Sequence, residues 1–169
     1  IPQISMSAGT MIALSCKEIV MGKQSNLGPI DPQMGGVACQ AVLDEFEKAK
    51  EDIKKNPQSA ALWQVIISKY HPTFLGACKN SIDWSEKLVS DWLERNMLNG
   101  SHEKKDKILK EFSDHHTNKS HARHISKNKC KELGLSIIDM EEDNTLQDLI
   151  LTVHHSYMHT FSNSMVTKI

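Results

Sequence analysis

Aromatic residues are scarce in this chain, with four Phe, two Tyr and three Trp among 169 residues, against eight Met. That balance suits a mostly helical core. No apolar run approaches the roughly 18 residues that span a bilayer, and no signal-peptide pattern opens the chain. The four cysteines, Cys16, Cys39, Cys78 and Cys130, show no C-x-x-C spacing, which is the pattern of a reduced, intracellular protein. Charge of one sign is lacking too: 20 Lys and Arg face 21 Asp and Glu, for a formal net charge of −1. No bulk field then draws nucleic acid or anionic membrane, and neither is an expected partner. Internal repeats and low-complexity tracts are absent. What remains is enough chain for a domain with a real core.

The organising stretch runs from Ile4 to Leu14. A short extended run meets a Ser7-Ala8-Gly9 corner and becomes an apolar helix. Such a corner lifts the Ser7 hydroxyl out of a sharp strand-to-helix turn and sets it at the helix N-terminus. About half a unit of positive charge accumulates there, beside backbone N–H groups without partners. An attacking oxygen and a developing oxyanion are both favoured in that place, as at the nucleophile elbow of another hydrolase fold. Ala8 and Gly9 are small enough for the corner.

The segment Ser7-Ala-Gly-Thr-Met-Ile-Ala-Leu-Ser-Cys-Lys-Glu-Ile-Val-Met-Gly22 leads to Ser25-Asn-Leu-Gly-Pro-Ile-Asp-Pro-Gln33. Together they resemble the serine dehydrogenase proteinase family, Clp-fold serine proteinases related to ClpP and SppA. Lys119-Ser-His-Ala-Arg-His-Ile125 and Leu146-Gln-Asp-Leu-Ile-Leu-Thr-Val-His-His155 resemble the later part of the same family. The resemblance implies that Ser7 is the nucleophile of a peptidase working through an acyl-enzyme. It also implies a preceding half that supplies further parallel strands and a Gly-Gly oxyanion turn. The chain carries neither, and is expected to be the C-terminal part of such a protein. Its alternative fate is a catalytically inactive fragment that serves only as an assembly remnant. The implied fold is α/β: the C-terminal portion of a Clp/crotonase-like domain with a helical arm over residues 1–100, and a small α+β extension over 101–169. A polypeptide substrate and a homo-oligomer follow by the same analogy. The expected location is cytoplasmic, with membrane association possible only through the missing N-terminal region.

Patterning along the chain predicts a strand from Ile1 to Ser5, a helix from Thr10 to Cys16, a buried strand at Ile19–Met21 and an extended piece from Leu27 to Ile30. Gly35-Gly36 reads as a turn. Helices are expected over Val37–Lys55, with Val42, Phe46, Ala49 and Ile53 inward, and over Ala60–Lys69, with Leu62, Val65 and Ile66 inward. A long helix from Thr73 to Leu98 closes at Asn99-Gly100, and Ser101 caps a charged helix to Phe112. Asp114 to Lys119 reads as polar loop. A basic helix ends at Gly134, a strand follows near Leu135–Met140, and Asn144-x-x-Gln147 resembles a capping box. It opens a final helix with Leu146, Leu149, Ile150, Val153, Tyr157 and Phe161 on one side.

Ser7 needs a base and an orienting group. Clp proteinases place the base His in an Ile-His-Gln-Pro context, and here Ile30-Asp31-Pro32-Gln33 puts Asp31 at that position. Asp31 either orients a histidine from the later part of the chain or caps the Asp-Pro turn. SppA-type relatives use a Lys instead, and residues 48–55 do not match that motif. Histidines cluster at His115, His116, His121 and His124. His121, inside the family-like run, is the candidate base, although Ala122 stands where the family usually has Gly. The same cluster, with Cys130, could be read as a metal site or as a solvated loop. Its spacing fits no standard zinc template, so no metal or other cofactor is assigned. His155 and His159 share a helix face but lack the Glu of a His-Glu-x-x-His site. Ser101-x-x-Lys104 has no companion motif, and Lys127, Lys129 and Lys131 read as solvated charge.

Overall fold

The computed structural model describes residues 1–98, 101–113 and 123–167. Short strands and longer helices alternate in a mixed α/β arrangement. β1 (Ile4–Ser5) turns into α1 (Ala8–Leu14), followed by β2 (Ile19–Met21) and β3 (Asn26–Leu27). A hairpin of β4 (Gln33–Met34) and β5 (Val37–Ala38) then leads into α2 (Cys39–Lys55). Its two-residue turn is Gly35-Gly36, with φ of 61° and 81°. Positive φ at both central residues is what a tight hairpin turn of matching twist requires, and glycine adopts it without strain.

α2 keeps Val42 and Ala49 buried, as the spacing of its apolar residues predicts. It stops at Asn56, where the following Pro57 disfavours helical backbone. The Asn56 side chain then accepts the Gln58 N–H of a short 3₁₀ turn, Pro57–Ser59. α3 (Ala60–Ile67) turns differently from the expectation: Leu62 and Val65 are 64% and 61% exposed, and Trp63 is the buried residue. Apolar side chains occupy nearly the whole circumference of this short helix, so periodicity does not select a face and the largest ring takes the inside. α4 (Phe74–Trp92) continues into a wider π turn, Leu93–Met97. Asn96 Nδ2 donates to the Ser15 carbonyl at 2.7 Å, tying that turn to the end of α1. The expected stop at Asn99-Gly100 lies outside the described residues, as does the polar loop from Asp114 to Lys119.

α5 (His102–Ser113) precedes β6 (Ile125–Ser126), α6 (Lys127–Glu132), β7 (Ile137–Asp139) and α7 (Asn144–Asn163). Ser126 caps α6 by accepting the Lys129 N–H. The cap of α7 is Asp143, which accepts the Leu146 N–H at 3.0 Å. It lies one residue before the expected Asn144; an aspartate there also brings negative charge to the helix N-terminus.

β3 lies between β1, its parallel neighbour, and β6, its antiparallel one. A separate parallel pair joins β2 to β7. The larger core gathers Leu14, Met21, Leu27, Leu93, Ile108, Phe112 and Ile125, each at most 1% exposed. A second cluster forms where α2 meets α4, around Cys39, Val42 and Cys78. Tyr70 closes it, edge-on to Phe46 at 5.3 Å and stacked on Phe74 at 5.7 Å, with its hydroxyl on Glu45.

Candidate active site

Parallel pairing of β1 and β3, in the register Ser5 with Leu27, brings both strands to an end at the same edge. From that edge β1 continues to Ser7, and β3 continues through Gly28-Pro29-Ile30 to Asp31. β6 runs antiparallel to β3, with Ile125 opposite Leu27, so the chain enters it from the same side.

Ser7 is the sole described non-glycine residue with positive φ, at φ 49° and ψ −115°. This backbone region belongs to glycine, and a side chain held there costs on the order of 1–3 kcal/mol. Ser7 occupies the N-cap position of α1, yet its hydroxyl does not cap the helix. The turn is closed by the backbone instead: Gly9 N–H donates to the Met6 carbonyl at 2.8 Å, and Met11 N–H donates to the Ser7 carbonyl at 3.0 Å. Ser7 as a residue is half-buried, and its hydroxyl is not consumed in capping its own helix.

The surroundings explain why the strain persists. A Cβ on Gly28 would lie 2.3 Å from Met6 Sδ and 3.3 Å from Met6 Cα. A side chain here would displace the Met6 thioether and crowd the Met6 backbone, where the chain leaving β3 passes the residue before Ser7. Gly28 N–H donates to the Ser5 carbonyl at 2.9 Å. Thr10, fully buried on α1, donates its hydroxyl to the same carbonyl at 2.8 Å and accepts Gly28 N–H at 3.2 Å.

Asp31 is 8% exposed and not free of partners. Its backbone is braced on both sides: Ile30 N–H donates to the Phe112 carbonyl, and Cys39 N–H to the Pro32 carbonyl, each at 2.8 Å. A cavity of about 50 Å³ opens beside it, lined also by Gln40, Ser85, Glu86 and Ser113. Burial and the nearby Asp83 carboxylate push the Glu86 carboxyl above its usual range. Desolvation, then the hydrogen bond with Cys78, pushes the Cys39 thiol up to about 11, with the Asp31 charge contributing. Cys130, buried beneath β6, is pushed up to about 12, mainly by desolvation. Both thiols are therefore poor thiolate sources at neutral pH.

Among the predicted site residues, Ser7 and Asp31 lie on chain segments leaving the same sheet edge. His121 lies outside the described residues, as do His115 and His116. His124 is exposed, and its neighbour Arg123 forms an ion pair with Glu111. Among the described residues no group of three His, Cys, Asp or Glu side chains could hold a metal ion. Thr10 is the residue that the motif reading passes over. Its signal is a lone polar side chain on the inward side of an otherwise apolar helix.

The family model of ClpP-like SDH-type serine proteinases matches residues 1–158. This chain belongs to that family. An uncharacterized protein of Methanocaldococcus jannaschii, MJ0137, is 28% identical over 151 residues, covering 88% of this chain and 46% of that protein. A second protein of the same organism, uncharacterized protein MJ1495, is 38% identical over 53 residues, or 31% of this chain and 18% of its own length. The matched stretch thus spans less than half of either relative. No solved structure matches the chain. Among the described residues no helix is long and apolar enough to cross a membrane.

Proposed function

We propose that this member of the ClpP-like SDH-type serine proteinases carries the nucleophile of a peptide-bond hydrolase at Ser7. The observation that carries the reading is the strained backbone of Ser7 at a strand-to-helix turn. Strain of this kind is concentrated at functional sites, where the surroundings hold it in place. In the proposed reaction Ser7 Oγ attacks the scissile carbonyl carbon while its proton passes to His121. The C–N bond then breaks, and the amine leaves with that proton. Water, deprotonated by the same imidazole, opens the Ser7 ester and releases the acid. Asp31 orients the base. This assignment is supported by the anchoring on either side of residues 114–122: Phe112 accepts the Ile30 N–H, and Ile125 pairs with Leu27.

The Ala8 N–H, immediately after Ser7, is one donor for the oxyanion in this scheme. Further donors belong to the Gly-Gly turn of the N-terminal half that the resemblance implies. The substrate is a polypeptide, and the working form is a homo-oligomer. Supporting association, α7 leaves Leu149, Val153 and Tyr157 62%, 56% and 44% exposed on one side. That same face favours a second reading, in which the chain acts only in assembly and turns nothing over.

A fluorophosphonate probe separates the two. The chain is expected to form a covalent adduct that Ser7→Ala abolishes. A folded chain that stays unlabelled supports the assembly reading, since losing a single oxyanion donor costs about a hundred- to a thousandfold in rate.

A further inference from the structure

A hydroxyl outside the proposed reaction ties together the elements around Ser7. Inside a helix, threonine ordinarily turns its hydroxyl to a carbonyl three or four residues back. Thr10 reaches one residue further, past Met6, and donates to the Ser5 carbonyl on β1 at 2.8 Å. Its oxygen also accepts Gly28 N–H at 3.2 Å. One atom therefore joins the strand before Ser7, the helix after it, and the strand end that leads to Asp31.

Satisfying the backbone does not require this atom. Gly28 N–H already donates to the Ser5 carbonyl at 2.9 Å, so neither group would be orphaned by its loss. What the hydroxyl adds is a fixed distance between three elements in a fully buried place. Ser7 lies between Ser5 and Thr10 in the chain, spanning the tie with its strained φ of 49°. Relaxing the tie gives that backbone room to leave the strained region.

We infer that Thr10 is a positioning residue: its hydroxyl holds β1, α1 and Gly28 in register, and so keeps Ser7 in the conformation that presents its hydroxyl. This rests on the reading of Ser7 as nucleophile, and the test keeps the two apart. Thr10→Val preserves the branched shape and deletes the hydroxyl, Thr10→Ser retains the hydroxyl, and Thr10→Ala is a second hydroxyl-free variant should valine not fold. Two quantities are measured in each: the rate of fluorophosphonate labelling at Ser7, and hydrogen exchange of the Gly28 amide by NMR.

Labelling is expected to slow on the order of tenfold to a hundredfold in Thr10→Val, the cost of a small misplacement of a reacting group. Thr10→Ser should label close to the rate of the unaltered chain. Gly28 exchange should quicken in the two hydroxyl-free variants and not in Thr10→Ser. Labelling and exchange both unchanged in Thr10→Val overturn the inference, and so does equal slowing in the serine and valine variants, which would mean that side-chain fit rather than the hydroxyl matters. If the unaltered chain takes no label, the nucleophile reading fails, and Gly28 exchange alone decides on Thr10: quickened exchange in Thr10→Val that Thr10→Ser restores supports the tie, and unchanged exchange removes it.

Discussion

Around Ser7 the chain supplies its own complement: Gly28 admits Met6, Thr10 joins two strands, and Phe112 accepts the Ile30 N–H. Along α7 the opposite holds. Leu149, Val153 and Tyr157 stand exposed, and a groove of about 430 Å³ lies between that face and Pro2. An amphipathic helix forms from its period, but it gains stability only when its apolar side is covered. The contrast separates a corner held by internal contacts from a surface available for association.

Substitutions can break that contrast. Phe112→Ala should have the largest effect, because the ring is fully buried in the main core beside the Asp31 turn. The expected loss is about 3–5 kcal/mol in urea denaturation, and a loss well below that would mean the corner is not held as described. Gly28→Ala should follow. A new Cβ would meet Met6 at 2.3 Å, and overpacking of this kind costs about 1–3 kcal/mol. Slower labelling of Ser7 should accompany that loss.

Acid provides a third comparison, at the end of β7. The hydrogen bonds of Lys131 and Lys127 hold the Asp139 carboxyl below its usual range, and the Lys23 N–H does the same for Glu141. Both folded-state values are depressed, so the folded chain binds fewer protons than the unfolded one. The stability they contribute is complete above the ordinary values of 3.8 and 4.5. It is lost as pH falls through the lower folded values. Urea midpoints should drop between pH 6 and pH 3, and Asp139→Asn with Glu141→Gln should remove part of the drop. The smallest effect on stability is expected from Leu149→Ser with Val153→Ser, within about 0.5 kcal/mol for each exposed site. Sedimentation should nevertheless shift toward smaller species if this face is where copies meet.

Much of the corner was legible because it depends on local chemistry. Small residues after Ser7, a continuous apolar run at Ile19–Met21 and a Gly-Gly turn each act within a few residues. Strand pairing was not legible in the same way. β3 has only two residues and derives its place from β1 and β6, far apart in sequence. α3 hid its orientation for want of a polar side, and Asp143 rather than Asn144 caps α7 because either residue type satisfies the same donors. Thr10 escaped notice because a hydroxyl in an apolar helix has no single meaning until the third partner, Gly28, is seen beside it. Asp31 was legible as a position. Its burial beneath α4 and α5 arises from packing that no local pattern encodes.

The central claim is that the Ser7 hydroxyl is a nucleophile, and mass spectrometry of the folded chain after incubation with diisopropyl fluorophosphate tests it most directly. One diisopropylphosphoryl adduct, mapped to the peptide containing Ser7 and missing from Ser7→Ala, is the predicted result. An unmodified Ser7, or an adduct that survives its replacement by alanine, would contradict it.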